Sequence, residues 1–383
     1  MYSNPSSKPL SEDGIESSLT DLFRSLEHDL TRDVNAQAQP IAPSADLCVL
    51  AILAESHDLL VDSGGQLARP SRVRLSTLVG GRPRHYWDDV LRCARTLRLL
   101  HVDDGQVRVT NTDAELLGAT CSECFPAFLA TWLQDAAWMG EVFESHGVEG
   151  EPGVGLRLDL VRALGVFEPS RWYRVGTLER LVTVVFGWHG VRLTPSQRSA
   201  LPRDLLSRAL LVVGAVEVSA CGDAFRLKPR LTLPPLPSQL EGRMGGLRPS
   251  TLARRFRDVI ETRLSCNDAW SRVNHQLQQV VECRRSRQCG EDALKMLDDV
   301  LIETCPTTPF RDCLYLARFG ELVQPQAGLQ GRYVFRLDAA RLSRRLPDAG
   351  GAGELLQFVS RRSADASTLQ RVKALLSSLG ETA

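Results

Sequence analysis

The residues best placed to do chemistry in this chain are cations. Arg82, Arg84, His85, Arg92 and Arg95 crowd one short stretch, and Trp87, Val90, Leu91, Ala94 and Leu97 recur among them at helical spacing. That spacing predicts an amphipathic helix with an apolar stripe on one side. Arg84, Arg92, Arg95 and Arg98 take the opposite side. A planar guanidinium offers paired donors that match the oxygens of a phosphate, so such a row is a candidate DNA contact. A second candidate set is Arg254, Arg255, Arg257, Arg284, Arg285 and Arg287, with Asp258, Glu261 and Glu282 interleaved. A solvated, salt-bridged surface would give the same pattern in either place.

Other chemistries lack their residues. Cys121-x-x-Cys124 is the only close cysteine pair, and His146, Cys283, Cys289 and Cys305 do not stand at partner spacing. A structural zinc site needs four ligands, usually as two such pairs, so core thiols are expected rather than a metal. The acidic pairs Asp88-Asp89, Asp103-Asp104 and Asp298-Asp299 read as helix faces and one hairpin turn. A nucleotide-hydrolysing motor needs a Gly-x-x-x-x-Gly-Lys-Ser/Thr loop to cradle phosphates, and the chain has no Gly-Lys pair. No catalytic, cofactor-binding or metal-binding residue is expected, and the protein reads as non-enzymatic.

Charge is uneven although the formal net charge is zero. Residues 1–60 hold three Lys/Arg against ten Asp/Glu, whereas residues 67–108 hold nine Arg against four Asp. Basic excess returns over 245–290 and 331–373. Basic faces joined to an acidic leader are implied. No apolar run is long enough to span a bilayer, and the Ser/Pro-rich start has no apolar signal core. A cytoplasmic protein with no membrane partner is the expectation.

Elements follow from periodicity and breakers. Residues 1–43 read as an acidic, partly disordered leader with one amphipathic helix near Ile15–Leu30. Over 44–118, an apolar helix from Leu47 to Val61 stops at Ser63-Gly64-Gly65, and a short helix near Ser76 precedes the Trp87 helix. A hairpin turning at Asp103-Asp104-Gly105 closes this unit. Helix, helix, helix, hairpin is the order of a winged helix. A helical connector is expected over 119–151. The order then repeats over 152–230: a helix near Leu156–Leu164, an extended Trp172–Val175, a helix capped by Thr177, a helix started by Pro202, and strands about Cys221-Gly222-Asp223. Residues 231–248 are a Pro-rich linker, 249–305 a helical region, and 306–383 a closing module. The fold class is thus mainly α with short β hairpins (α+β): tandem winged-helix units, a helical insertion and a small α/β closing module.

The closing module carries a family signature. A helix begins at Pro309-Phe310, a strand ends in Tyr333-x-Phe335-Arg336-Leu337, and helices carrying Leu342, Leu355, Leu356 and Phe358 follow. This resembles the XPB-type helicase N-terminal-like, or helicase-associated, domain. Gly214, Val216, Glu217, Val218, Arg226 and Leu227 match the same family's second-wing pattern. The resemblance covers about 152–230 and 306–380, with a weaker match over 44–118, and its motifs specify fold more than function. It implies a DNA-binding or helicase-accessory protein whose motor sits on another chain, in DNA repair, transcription-linked remodelling or phage defence. Duplex DNA and a helicase or other protein subunit are the implied partners. A protein-interaction scaffold that uses winged helices for docking is the alternative, favoured by net neutrality and the acidic leader. Arg336 is expected in a partly buried ion pair beside the strand aromatics.

Overall fold

A computed structural model describes residues 41, 43–110, 128–129, 131–132, 135–146, 154–169, 171–219, 221–228, 294–305, 308–326, 332–345, 351–363 and 365–380, with helical positions 17–18, 20–22 and 24–26. Helix and strand are mixed, with helix predominant. The chain forms two compact units, each assembled from separated segments: Ile41–Cys124 with Leu277–Ala383, and Met1–Pro40 with Phe125–Gln276. Residues 44–118 and 306–383, which the sequence presents as separate domains, therefore fall in one unit.

That unit is organised around α1 (Pro43–Glu55), in which every residue from Asp46 to Ala54 is buried. A helix apolar on all sides must be covered on all sides. α1 ends six residues before the expected Val61: the Ser56 hydroxyl donates to the Leu53 carbonyl at 2.9 Å and His57 turns at φ 59°. The chain then runs extended, with Leu60 bridged to Gln106 and Val61 to Leu67. α2 (Arg69–Leu78) starts earlier than the expected Ser76, with Pro70 in its first turn, where a missing N–H costs nothing. α3 (Tyr86–Thr96) buries Trp87, Val90, Leu91 and Ala94, and Leu97 just beyond it is half-buried. β1 (Leu100–Asp103) and β2 (Gln106–Val109) pair with Val102 opposite Val107. Asp104 (φ 48°) and Gly105 (φ 74°) form the two-residue turn. Positive φ at both is what a type I′ hairpin requires.

In the other unit the leader helix buries Leu22 completely, and Ser25 hydrogen-bonds to Thr177 and Arg180. Asp135 caps α4 (Ala136–Ser145) by accepting from the Trp138 amide at 3.0 Å. Arg157, on α5 (Val154–Ala163), is 1% exposed, and its Nη1 donates to the carbonyls of Trp132 and Asp135. β3 (Tyr173–Arg174), α6 (Val175–Trp188), α7 (Pro195–Asp204), β4 (Val216–Val218) and β5 (Ala224–Leu227) follow, and the sheet order is β3-β5-β4. Two expected helix starts are corrected. Thr177 is buried inside α6 rather than capping it. Pro202 lies inside α7, which begins instead at a capping box of Thr194 and Gln197. Proline withholds one helical N–H, and downstream the helix widens to a π turn over Leu205–Leu210.

The returning chain corrects the helical expectation for 249–305 where it is described: β6 (Leu294–Met296) and β7 (Leu301–Thr304) are strands. Leu294, Met296, Ile302 and Thr304 face inward at the two-residue period of a strand. α8 (Phe310–Ala317), β8 (Gly320–Gln326) and β9 (Arg332–Leu337) complete an antiparallel sheet of order β6-β7-β9-β8. A Cβ on Gly320 would stand 2.9 Å from the Arg336 carbonyl oxygen, so glycine is needed there. α9 (Ala339–Arg345), α10 (Gly351–Arg362) and α11 (Ala366–Gly380) follow, and the Thr368 hydroxyl of α11 accepts from the Met296 amide at 3.1 Å. α1 packs against α3 and β2 from its own segment and against α8 and β8 from the returning chain. Ion pairs reinforce that seam: Arg318 to Glu55 at 2.6 Å, Arg341 to Asp58 at 2.8 Å, and Arg74 to Asp58 at 3.2 Å and Glu321 at 3.0 Å.

Candidate nucleic-acid interface

The α3 cations do not share one environment. Arg82, just before the helix, is 8% exposed, and its Nε and Nη2 donate to the fully buried Asp46 carboxylate at 2.8 and 2.9 Å. The Tyr86 hydroxyl donates to the same carboxylate at 2.7 Å. Arg82 is thus engaged in a buried ion pair, which corrects its expected place among the DNA contacts. Asp88, on the polar side of α3, accepts from the Leu67 amide at 2.8 Å and pairs with Arg72 at 3.2 Å.

What remains outward is narrower than the sequence suggests. Arg84 and His85 are exposed at the helix start, Arg92 is half-buried, and Arg95 is exposed with its Nη1 3.5 Å from the Gly65 carbonyl. Arg98, exposed at φ 58° just past the helix end, extends the row. Arg84 and Arg98 make no side-chain hydrogen bond or ion pair among the described residues. The hairpin beside them ends in exposed Asp103 and Asp104, and Arg108 pairs with Asp103 at 3.4 Å.

The second unit offers less positive charge at the equivalent place. Arg203 is exposed on α7, but Arg208 pairs with Glu141 at 3.5 Å and Arg198 Nε donates to the Leu193 carbonyl at 3.1 Å. Its hairpin tip carries exposed Asp223, whose carboxyl is held below the usual range by hydrogen bonds from Cys221 and Ser219. Arg254, Arg255, Arg257, Arg284, Arg285 and Arg287, and Cys121 and Cys124, lie outside the described residues. Arg336 is exposed on β9 and makes no ion pair among the described residues, which corrects its expected buried pairing. Among the described residues no cluster of His, Cys, Asp or Glu could hold a metal ion, and no helix is long and apolar enough to cross a membrane.

One cleft lay outside the sequence reading. Tyr315 of α8 packs at a tilt against Phe358 of α10, ring centroids 4.4 Å apart, and Glu354, Gln357, Arg361 and Arg362 complete a cleft of about 230 Å³. Phe358 is half-exposed, while Leu355 and Val359 fill the core side of the helix. Burial and the nearby Glu354 raise the Tyr315 pKa, keeping the phenol protonated, against a smaller opposing effect of Arg318. The only advance signal was the polar spacing Glu354, Gln357, Arg361 on one helix face. No protein-family model and no curated protein matches the chain.

Proposed function

We propose that this chain is a non-enzymatic DNA-binding or helicase-accessory protein, built from two winged-helix units and a helicase-associated closing module, with any motor supplied by another chain. The observation that carries this reading is the outward set Arg84 and His85 just before, Arg95 on and Arg98 just past the third helix of a helix–strand–helix–helix–hairpin order. In such an order the third helix is the element that enters a major groove. The same order in the second unit, with β3 in the place of the Leu60–Val61 segment, supports reading both as winged helices.

The acidic hairpin tips favour a second reading. A wing that tracks a phosphate backbone gains from positive charge, and Asp103, Asp104 and Asp223 supply the opposite. Docking to a basic protein surface would use those tips directly, as an interaction scaffold. Salt-dependent duplex binding separates the two. For the DNA reading, Arg84→Ala with Arg95→Ala lowers affinity and reduces the slope of log affinity against log salt by about 1.8, two lost phosphate contacts at about 0.9 each. Duplex affinity that is absent in the parent, or unchanged in the folded double variant, removes α3 from a DNA interface.

A further inference from the structure

We propose that the cleft between α8 and α10 is a binding site for one unpaired base of a single-stranded nucleic acid. The proposal rests on the reading of the chain as a nucleic-acid-binding protein, but it concerns a different surface and a different form of the ligand. The floor is aromatic: Tyr315 and Phe358 are each half-exposed, tilted 42° to one another, with Phe319 packed behind Tyr315 at 5.1 Å. The volume, about 230 Å³, is below the roughly 300–1,000 Å³ of sites that hold drug-sized ligands. It suits one ring system rather than a whole cofactor.

The rim is polar and uncommitted. Glu354, Gln357 and Arg361 recur one turn apart on α10, all exposed, and among the described residues none of their side chains makes a hydrogen bond or ion pair. Three uncommitted polar groups lining one cleft with two aromatic rings are the parts of a base site. The rings take the face of a base, a carboxylate accepts from an exocyclic amino group, and an amide both donates and accepts. Of these three, Arg361 stands farthest from Glu354, the one acid that lines the cleft, so the phosphate passes on the Arg361 side. Arg362 beside it is held by Asp312 at 2.7 Å and braces the wall. The Glu354 carboxylate also sets a preference. Cytosine presents an amino donor to it, whereas thymine presents a carbonyl acceptor that it repels.

The test measures anisotropy of labelled deoxycytidine, deoxythymidine and abasic homopolymers of equal length with the full chain. The expected order of affinity is deoxycytidine, deoxythymidine, abasic. Tyr315→Leu weakens deoxycytidine binding on the order of tenfold. Arg361→Ala lowers the salt slope by about 0.7, and Glu354→Gln narrows the cytosine preference. Because Glu354 and Arg361 are exposed, those two variants keep the test valid if Tyr315→Leu fails to fold. Absence of single-strand binding, equal affinity for the abasic strand, or parental behaviour of folded Glu354→Gln and Arg361→Ala each overturns the proposal. Duplex binding without single-strand binding defeats the cleft and spares α3. Base-selective single-strand binding that survives Arg84→Ala with Arg95→Ala, in a protein that ignores duplex, does the reverse.

Discussion

Asp46 is the most exacting test of the fold, because one carboxylate at zero exposure serves three donors. Two come from Arg82, whose side chain is 8% exposed, and one from Tyr86, whose ring also lies 5.8 Å beneath the guanidinium. Asp46→Ala leaves a buried guanidinium without its counter-charge and a buried phenol without its acceptor. Breaking a buried ion pair from one side costs about 3–5 kcal/mol, chiefly through the charge left behind. The expected loss in urea-induced unfolding monitored by tryptophan fluorescence is therefore in that range, with an unchanged m-value if the native state stays compact. Replacing both partners, Asp46→Leu with Arg82→Met, removes the stranded charge and should recover most of the loss, since buried pairs exchanged for apolar groups are often neutral. A single-variant loss below about 1 kcal/mol, in the surface-pair range, would refute the claim that this pair is desolvated. DNA affinity gives an independent reading: with stability restored in the double variant, it should match the parent, because Arg82 faces Asp46 and not a ligand.

Trp87 is 3% exposed, and its indole nitrogen is buried without an acceptor among the described residues. Trp87→Ala should cost about 3–5 kcal/mol in chemical unfolding. Trp87→Phe should cost clearly less, because it leaves a smaller cavity and removes the unsatisfied donor; equal losses would contradict that. Gly320→Ala drives a methyl against the Arg336 carbonyl oxygen at 2.9 Å and should lower stability by about 1–3 kcal/mol, read as a fall in thermal midpoint; an unchanged midpoint would show that β8 and β9 can separate freely. Purified protein should release no phosphate from ATP above background, with or without DNA, because no phosphate-cradling loop exists in the sequence.

Local periodicity carried much of the fold, and long-range burial carried what it missed. The Trp87–Leu97 stripe and the Asp-Gly hairpin turn were legible because both are fixed by neighbours within a few residues. Pro202 resembles a helix start because proline is commonest in a first turn, but the stronger start signal, Thr194 with Gln197, stands a few residues earlier. The strands at 294–304 were hidden by their shortness, since two brief alternating runs separated by Asp298-Asp299 resemble a helix edge. Arg82 misled in another way. A buried Arg and a phosphate-binding Arg look identical in sequence, and only Asp46, far upstream on α1, tells them apart. The clue was α1 itself. Leu47 to Ala54 has no polar side, so no single layer of neighbours could cover it. A second layer had to arrive from elsewhere in the chain, and α8 and β8 supply it. The cleft at Tyr315 depends on the same logic, since its floor joins two helices whose meeting no local pattern announces. Cutting the chain between residues 110 and 294 should therefore leave α1 in one fragment without α8 and β8, and α8 and β8 in the other without α1, so neither piece of this unit should fold alone.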